Sequence, residues 1–353
     1  MAYLGRIGVE IELMAPRGRT RQGLAAAIAH SIHGTTHRLF HPQSEPSSIP
    51  GTPILENLTL GFAVRDAQGQ PVVTCVDDLT LQADCDRAHP PQPGWYRIVS
   101  DDLRLLRLIQ RHCNPDDPLE QVLEPIAALF GARPEQGPGG MVRLADQVGP
   151  PIAIAAPLPG ERERPCELIT APLWPHELWK IGDYLAIARH LNFFAPQEGA
   201  IHLHFDAAPL RHPATFRNLV YLLWTHGPSL KHHWRTNPHC QRLGPWPDEL
   251  LTVLQAADWD TLSWSQAQAR LSQLPLTKYC DFNLKNVITA NPLVHTFEVR
   301  VFPVWLTPEP LLAAIALMQR VIERAIAPQP VPLQPPLPPC NAGLKIAVDF
   351  DKE

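Results

Sequence analysis

Three short segments, far apart in the chain, each set ionisable side chains at alternate positions. They read Gly8-Val9-Glu10-Ile11-Glu12-Leu13, Ile201-His202-Leu203-His204-Phe205-Asp206 and Thr296-Phe297-Glu298-Val299-Arg300-Val301. Successive side chains on a strand point to opposite faces, so the apolar residues of each segment can enter a core while the charged ones share the other face. Glu10 stands with Glu12, His202 with His204, and Glu298 with Arg300. A fourth segment, Arg164 to Thr170, reads as a strand and adds Glu167.

Glutamates two apart on a strand have Cα atoms about 7 Å apart and repel by about 2 kcal/mol at an effective dielectric of 20. Glu10, Glu12, Glu167 and Glu298 gathered on one sheet face would therefore need cations. Hard carboxylate donors suit Mg²⁺ or Mn²⁺, which often share their remaining positions with substrate phosphates. Arg300 can grip two oxygens of a phosphate at once. Plainer readings stand beside this one: Glu10 and Glu12 as solvated carboxylates, and Glu298 with Arg300 as an exposed same-face pair worth under about 1 kcal/mol. His202 and His204 form a His-x-His pair of the kind that donates to zinc, although the sequence holds no second histidine motif of metal spacing.

The rest of the sequence describes a large globular chain. At 353 residues and 45% apolar it can bury a sizeable core. Thirty basic against 35 acidic residues, a net charge of −5, leave no electrostatic footprint for nucleic acid or for an anionic membrane. No apolar run approaches the roughly 20 residues that span a bilayer, and the N-terminus lacks a signal-peptide core, so a cytoplasmic protein is expected. Seven cysteines without a Cys-x-x-Cys read as reduced thiols rather than as a disulfide framework. Forty prolines, about twice the usual ~5%, cluster near residues 150–165 and 328–339.

Along the chain, helices are expected over about 20–33, 102–112, 118–131, 175–192, 213–235, 247–257, 264–273 and 308–327. Residues 58–64 and 71–76 read as a hairpin, and 37–41, 95–99 and 344–350 as further strands. The glycine- and proline-rich stretch from Gly137 to Pro165 reads as a long mobile loop. A mixed, mainly antiparallel sheet with helices on one side follows, an α+β fold. The expected organisation is one domain over 1–327, with a helical insertion at about 213–275, and a proline-rich arm with a terminal strand over 328–353.

These segments resemble the amidoligase family, which belongs with glutamine synthetase and glutamate-cysteine ligase in the carboxylate-amine ligase fold. Gly8 to Glu12 is similar to the family's opening Gly-x-Glu-x-Glu strand and Glu167 to Pro172 to its Glu-Leu-Val-Ser-Pro motif. Gly199 to His204 is similar to its Gly-Leu-His-Val-His strand, and Thr296 to Phe302 to its closing Thr-Ile-Glu-Phe-Arg-Leu-Phe strand. Lys278-Tyr279 with Asn283-Leu284 resembles its Arg-Tyr and Asn-Leu segment, with lysine where arginine is usual.

The resemblance implies an antiparallel half-barrel with ATP and metals on its concave face, and ATP-dependent amide formation through an acyl phosphate. It gives Glu10, Glu12, Glu167 and Glu298 to Mg²⁺ or Mn²⁺, and His202 or His204 to metal or phosphate. Arg300, with Lys278 beside it, falls to the transferring phosphoryl group and Asn283 to nucleotide or substrate. The implied partners are small-molecule or peptide carboxylates and amines, with a homo-oligomer compatible and neither nucleic acid nor membrane. A zinc-dependent hydrolase built on His202 and His204, or an inactive ligase-like binding module using the arm, are the alternatives.

Overall fold

The computed structural model describes residues 5–46, 54–145, 151–240, 242–289 and 295–338. In chain order its strands are β1 (Ile7–Met14), β2 (Thr35–Pro46), β3 (Ile54–Arg65), β4 (Pro71–Val76), β5 (Tyr96–Ser100), β6 (Glu135–Gln136), β7 (Val142–Ala145), β8 (Pro151–Pro157), β9 (Pro165–Thr170), β10 (Ala200–Asp206), β11 (Phe282–Asn283) and β12 (Thr296–Pro303). The helices are α1 (Arg21–Ser31), α2 (Leu103–His112), α3 (Glu124–Leu129), α4 (Lys180–His190), α5 (Pro213–Trp234), α6 (Glu249–Leu254), α7 (Trp264–Leu271), α8 (Lys285–Ile288) and α9 (Pro308–Ile326). Among the described residues the sheet has 12 strands and does not close on itself. With its antiparallel pairings and its helices, this is the α+β class that the sequence predicts.

The chain divides into two compact units, one of Met1–Ile11, Pro172–Leu185 and Gly199–Glu353, the other of Glu12–Ala171 and Ala186–Glu198. In the first, the strands run β11-β12-β10-β1. Alternation sorts their side chains: Val9, Ile201, Leu203, Phe205, Phe297, Val299 and Val301 are all at most 1% exposed. Helix α5 packs on β12 and on α9, whose Leu311, Ile315, Met318 and Ile322 recur three or four apart and are buried. Pro228 lies inside α5 and has no N–H for the carbonyl four residues back. Beside it the Thr225 carbonyl accepts from the Leu337 N–H at 2.8 Å, and Asn218 Oδ1 accepts from the Val331 N–H at 3.0 Å. The proline-rich segment up to residue 338 is thus tied to α5. The expected terminal strand at 344–350 lies outside the described residues.

In the second unit the order is β9-β4-β3-β5-β8-β7-β6, and among the described residues β2 pairs with β3 alone. Strand β2 carries Pro42 in its middle, which suits a strand hydrogen-bonded on one side only. Leu58, Leu60, Tyr96 and Ile98 pack against Leu105, Leu106 and Ile109 of α2 and Ile126 of α3. The stretch expected as a mobile loop from Gly137 to Pro165 instead contributes β7 and β8. Val142, Leu144, Ala153 and Ala155 enter this core with at most 1% exposure, and Pro151 and Pro157 occupy only the ends of β8, where a missing N–H costs little. The helix expected over 118–131 shrinks to α3, whose first turn holds Pro125, so the residues before it do not continue the same helix. The six cysteines described are free thiols, and no described helix is long and apolar enough to cross a membrane.

Candidate metal centre

Strand register in the first unit assembles the centre. Antiparallel pairing sets His204 opposite Gly8 on β1 and opposite Glu298 on β12, and Glu298 opposite Asn283 on β11. His202 lies opposite Glu10. Residues directly opposite on one face sit about 5 Å apart, so a row forms across four strands from segments almost 300 positions apart. Gly8 is part of the design: a Cβ built there would approach His204 Cβ to 3.3 Å, tighter than side chains usually tolerate.

Side chains close the row. Glu10 reaches both histidines, with Oε1 at 3.1 Å from His204 Nε2 and Oε2 at 3.1 Å from His202 Nδ1. Glu298 Oε1 lies 3.6 Å from His202 Nδ1 and 3.9 Å from His204 Nε2. Glu298 is also held from behind. Arg300 Nη1 donates to its Oε1 at 2.5 Å and Asn283 Nδ2 to its Oε2 at 2.7 Å. The Arg300 N–H donates to the Asp281 carbonyl, and Lys231 pairs with the Asp281 carboxylate at 2.9 Å. One ligand atom from each of Glu10, His204 and Glu298 lies within 4.8 Å of the others, so one cation could draw on all three.

Charge at the centre is set by enclosure. Burial by itself would push the Glu10 carboxyl up, but His204 and His202 outweigh it and hold it well below the ordinary carboxylate value. Glu298 is lowered in the same way: burial opposes, while His204, Arg300 and His202 prevail. Burial works against a charged His204, yet Glu10, and then Glu298, raise it to about 9. At neutral pH the metal-free centre is therefore an imidazolium between two carboxylates. A divalent cation entering it would take the place of that proton.

The structure thus brings Glu10, His202, His204, Asn283, Glu298 and Arg300 together. Lys278 is exposed on the turn before β11, its Nζ 5.3 Å from the Tyr279 ring centroid. Among the described residues no hydrogen bond or ion pair ties it to the centre. Glu12 and Glu167 belong to the second unit, Glu12 buried on the continuation of β1 and Glu167 opposite Val76 on β4. Asn283, expected to touch nucleotide or substrate, spends one amide hydrogen on Glu298 and its Oδ1 on the Lys285 N–H. Sequence reasoning passed over Thr296, whose hydroxyl meets His204 Nδ1 at 3.1 Å. It lies two residues before Glu298 and so on the same face, which was the available signal. Asp281 carried none, since its partners come from α5 and β12.

No curated protein and no solved structure gives a significant match to the chain. A family model described as "Putative amidoligase enzyme" matches residues 5–322, a span that contains every residue of the centre. The chain belongs to the amidoligase family.

Proposed function

We propose that the protein is an ATP-dependent carboxylate-amine ligase that forms an amide or isopeptide bond through an acyl phosphate. The observation that supports this is the Glu10, His204 and Glu298 cluster with a buried arginine fixed at its edge. Its donors fit Mg²⁺ or Mn²⁺: carboxylate oxygens serve either, and the imidazole nitrogen favours Mn²⁺ of the two. A cation bound there would neutralise phosphate oxygens of ATP as the γ-phosphoryl group is transferred.

The chain's own groups prepare that chemistry. Arg300 and Asn283 each hold one oxygen of Glu298, fixing the plane of its carboxylate. His202, 3% exposed, ties Glu10 toward Glu298. Such orienting groups behind a ligand set its geometry and basicity. Arg300 cannot lose its charge at any working pH, so it offers a fixed counter-charge to an oxyanion developing beside the centre. In this reading Lys278, exposed beside the Tyr279 ring, meets a substrate carboxylate or phosphate arriving from solvent.

The test is ADP release from ATP with a panel of amines and carboxylates, in Mn²⁺, in Mg²⁺ and in EDTA. Release that requires both an amine and a divalent cation, and that falls by about 10²- to 10³-fold in Glu298→Gln, is the expected result. Stoichiometric zinc with no ATP affinity would reject the ligase in favour of hydrolysis.

A further inference from the structure

The net charge of the whole chain hides a local asymmetry in the first unit. From Ala207 to Pro247, 41 consecutive residues hold no aspartate or glutamate, but five arginines and lysines and five histidines. This stretch contains α5 and the loop that follows it. The loop brings Arg242 against a second cation from further along the chain. Arg242 Cζ lies 5.0 Å from the Tyr279 ring centroid, and Lys278 Nζ lies 5.3 Å from the same centroid. Both are at cation–π distance, and therefore within about 10 Å of each other.

The arrangement is framed by hydrogen bonds. The Asp281 N–H donates to the Gly244 carbonyl at 2.9 Å, and the Trp246 indole N–H to the Phe282 carbonyl at 2.6 Å. These bonds fix the loop of Arg242 against the turn of Lys278 and Tyr279. The acid of that turn, Asp281, is already spent, on Lys231 at 2.9 Å and on the Gly244 N–H at 3.1 Å. Lys278 is exposed, with Arg242 and Tyr279 half-buried, and among the described residues the side chains of these three make no ion pair and no hydrogen bond. The same segment continues into the metal centre, where the Asp281 carbonyl receives the Arg300 N–H and Asn283 holds Glu298. From Lys278 to Asn283 the chain reaches at most about 18 Å, so an extended peptide of about six residues spans both.

Exposed ion pairs are individually weak, so cations on an open surface gain affinity from a partner that brings several acids at once. A nucleic acid strand fits less well, because its bases need an aromatic platform and two cations already lie against the Tyr279 ring. We propose that Arg242, Lys278 and Tyr279 bind an acidic peptide as the carboxylate substrate, its side-chain carboxylates pairing with the two cations and accepting from the Tyr279 hydroxyl. The role as substrate deepens the ligase reading and rests on it, whereas the binding does not.

Fluorescein-labelled hexaglutamate is titrated into the full chain and followed by anisotropy, in EDTA so that no metal bridges peptide and centre, at about 20 and about 200 mM salt. Binding should weaken about tenfold in Arg242→Glu, in Lys278→Glu and at the higher salt. It should be unchanged in Arg87→Glu, a reversal of an exposed arginine in the second unit. Circular dichroism verifies folding, and since the two reversals lie in separate segments either one decides the matter. No binding to the wild type, an equal loss in Arg87→Glu, or equal displacement of the peptide by oligothymidylate overturns the proposal. In the ADP-release assay with an amine and hexaglutamate, Arg242→Ala should raise KM about tenfold and leave kcat unchanged. Peptide binding with no ADP release from any carboxylate would reject the ligase and keep the peptide site. ADP release from other carboxylates without peptide binding would do the reverse.

Discussion

His204 is the residue on which the charge state of the metal centre turns. Its folded pKa of about 9 lies above its ordinary 6.5, because the two carboxylates outweigh burial. The stabilisation from its charge is therefore complete below pH 6.5 and is lost as pH rises through about 9. Glu10 works in the opposite sense: lowered beneath its ordinary 4.5, it stabilises above that value and ceases to as pH falls through its folded pKa. In EDTA, the melting temperature should fall between pH 6.5 and 9.5 more steeply for the wild type than for His204→Gln. Equal slopes would refute the assignment. Most of this centre could be read from the sequence, because alternation alone puts Glu10, His202, His204, Glu298 and Arg300 on charged faces. The support from Thr296, Asp281 and Gly8 could not, since it depends on which strands become neighbours and in what register.

At the scale of elements, the strands that carry the centre were legible and the proline-rich ones were not. Proline reads as a loop signal wherever it stands, yet it is harmless at the ends of β8, where Pro151 and Pro157 lie, and on the outer side of β2. Helix α5 keeps its path through Pro228 because tertiary packing outweighs local propensity. The segment tied to α5 has a key in Asn218, 3% exposed, which accepts from the Val331 N–H and donates to the Ala325 and Gln329 carbonyls at 3.2 and 3.4 Å. Asn218→Ala strands these buried groups and should cost about 1–3 kcal/mol in urea unfolding. Ser229→Ala, which removes only exposed bonds of 3.3 to 3.4 Å to the same segment, should cost under about 0.5 kcal/mol. Equal costs would show that Asn218 contributes nothing special to this docking.

For the molecule as a whole, composition predicted a large apolar core and no polyanion partner, and the family match over residues 5–322 gives that core a ligase lineage. The division into two compact units was hidden from the sequence. It follows from which long-range pairs form, and no change of composition marks it at Ile11 or Pro172. One property of the sheet bears on behaviour at high concentration. Among the described residues, strand β2 offers 12 residues of backbone with β3 on one side only, a template onto which a second chain could zip. Pro42 interrupts that template by deleting a donor, and Gln110 Nε2 occupies the Phe40 carbonyl at 2.9 Å. Pro42→Thr should therefore leave the melting temperature nearly unchanged while raising light scattering and thioflavin fluorescence on prolonged incubation. An unchanged aggregation rate would mean that this rim is protected by other means. On this account a single proline matters less for how the molecule folds than for keeping concentrated copies from joining into fibrils.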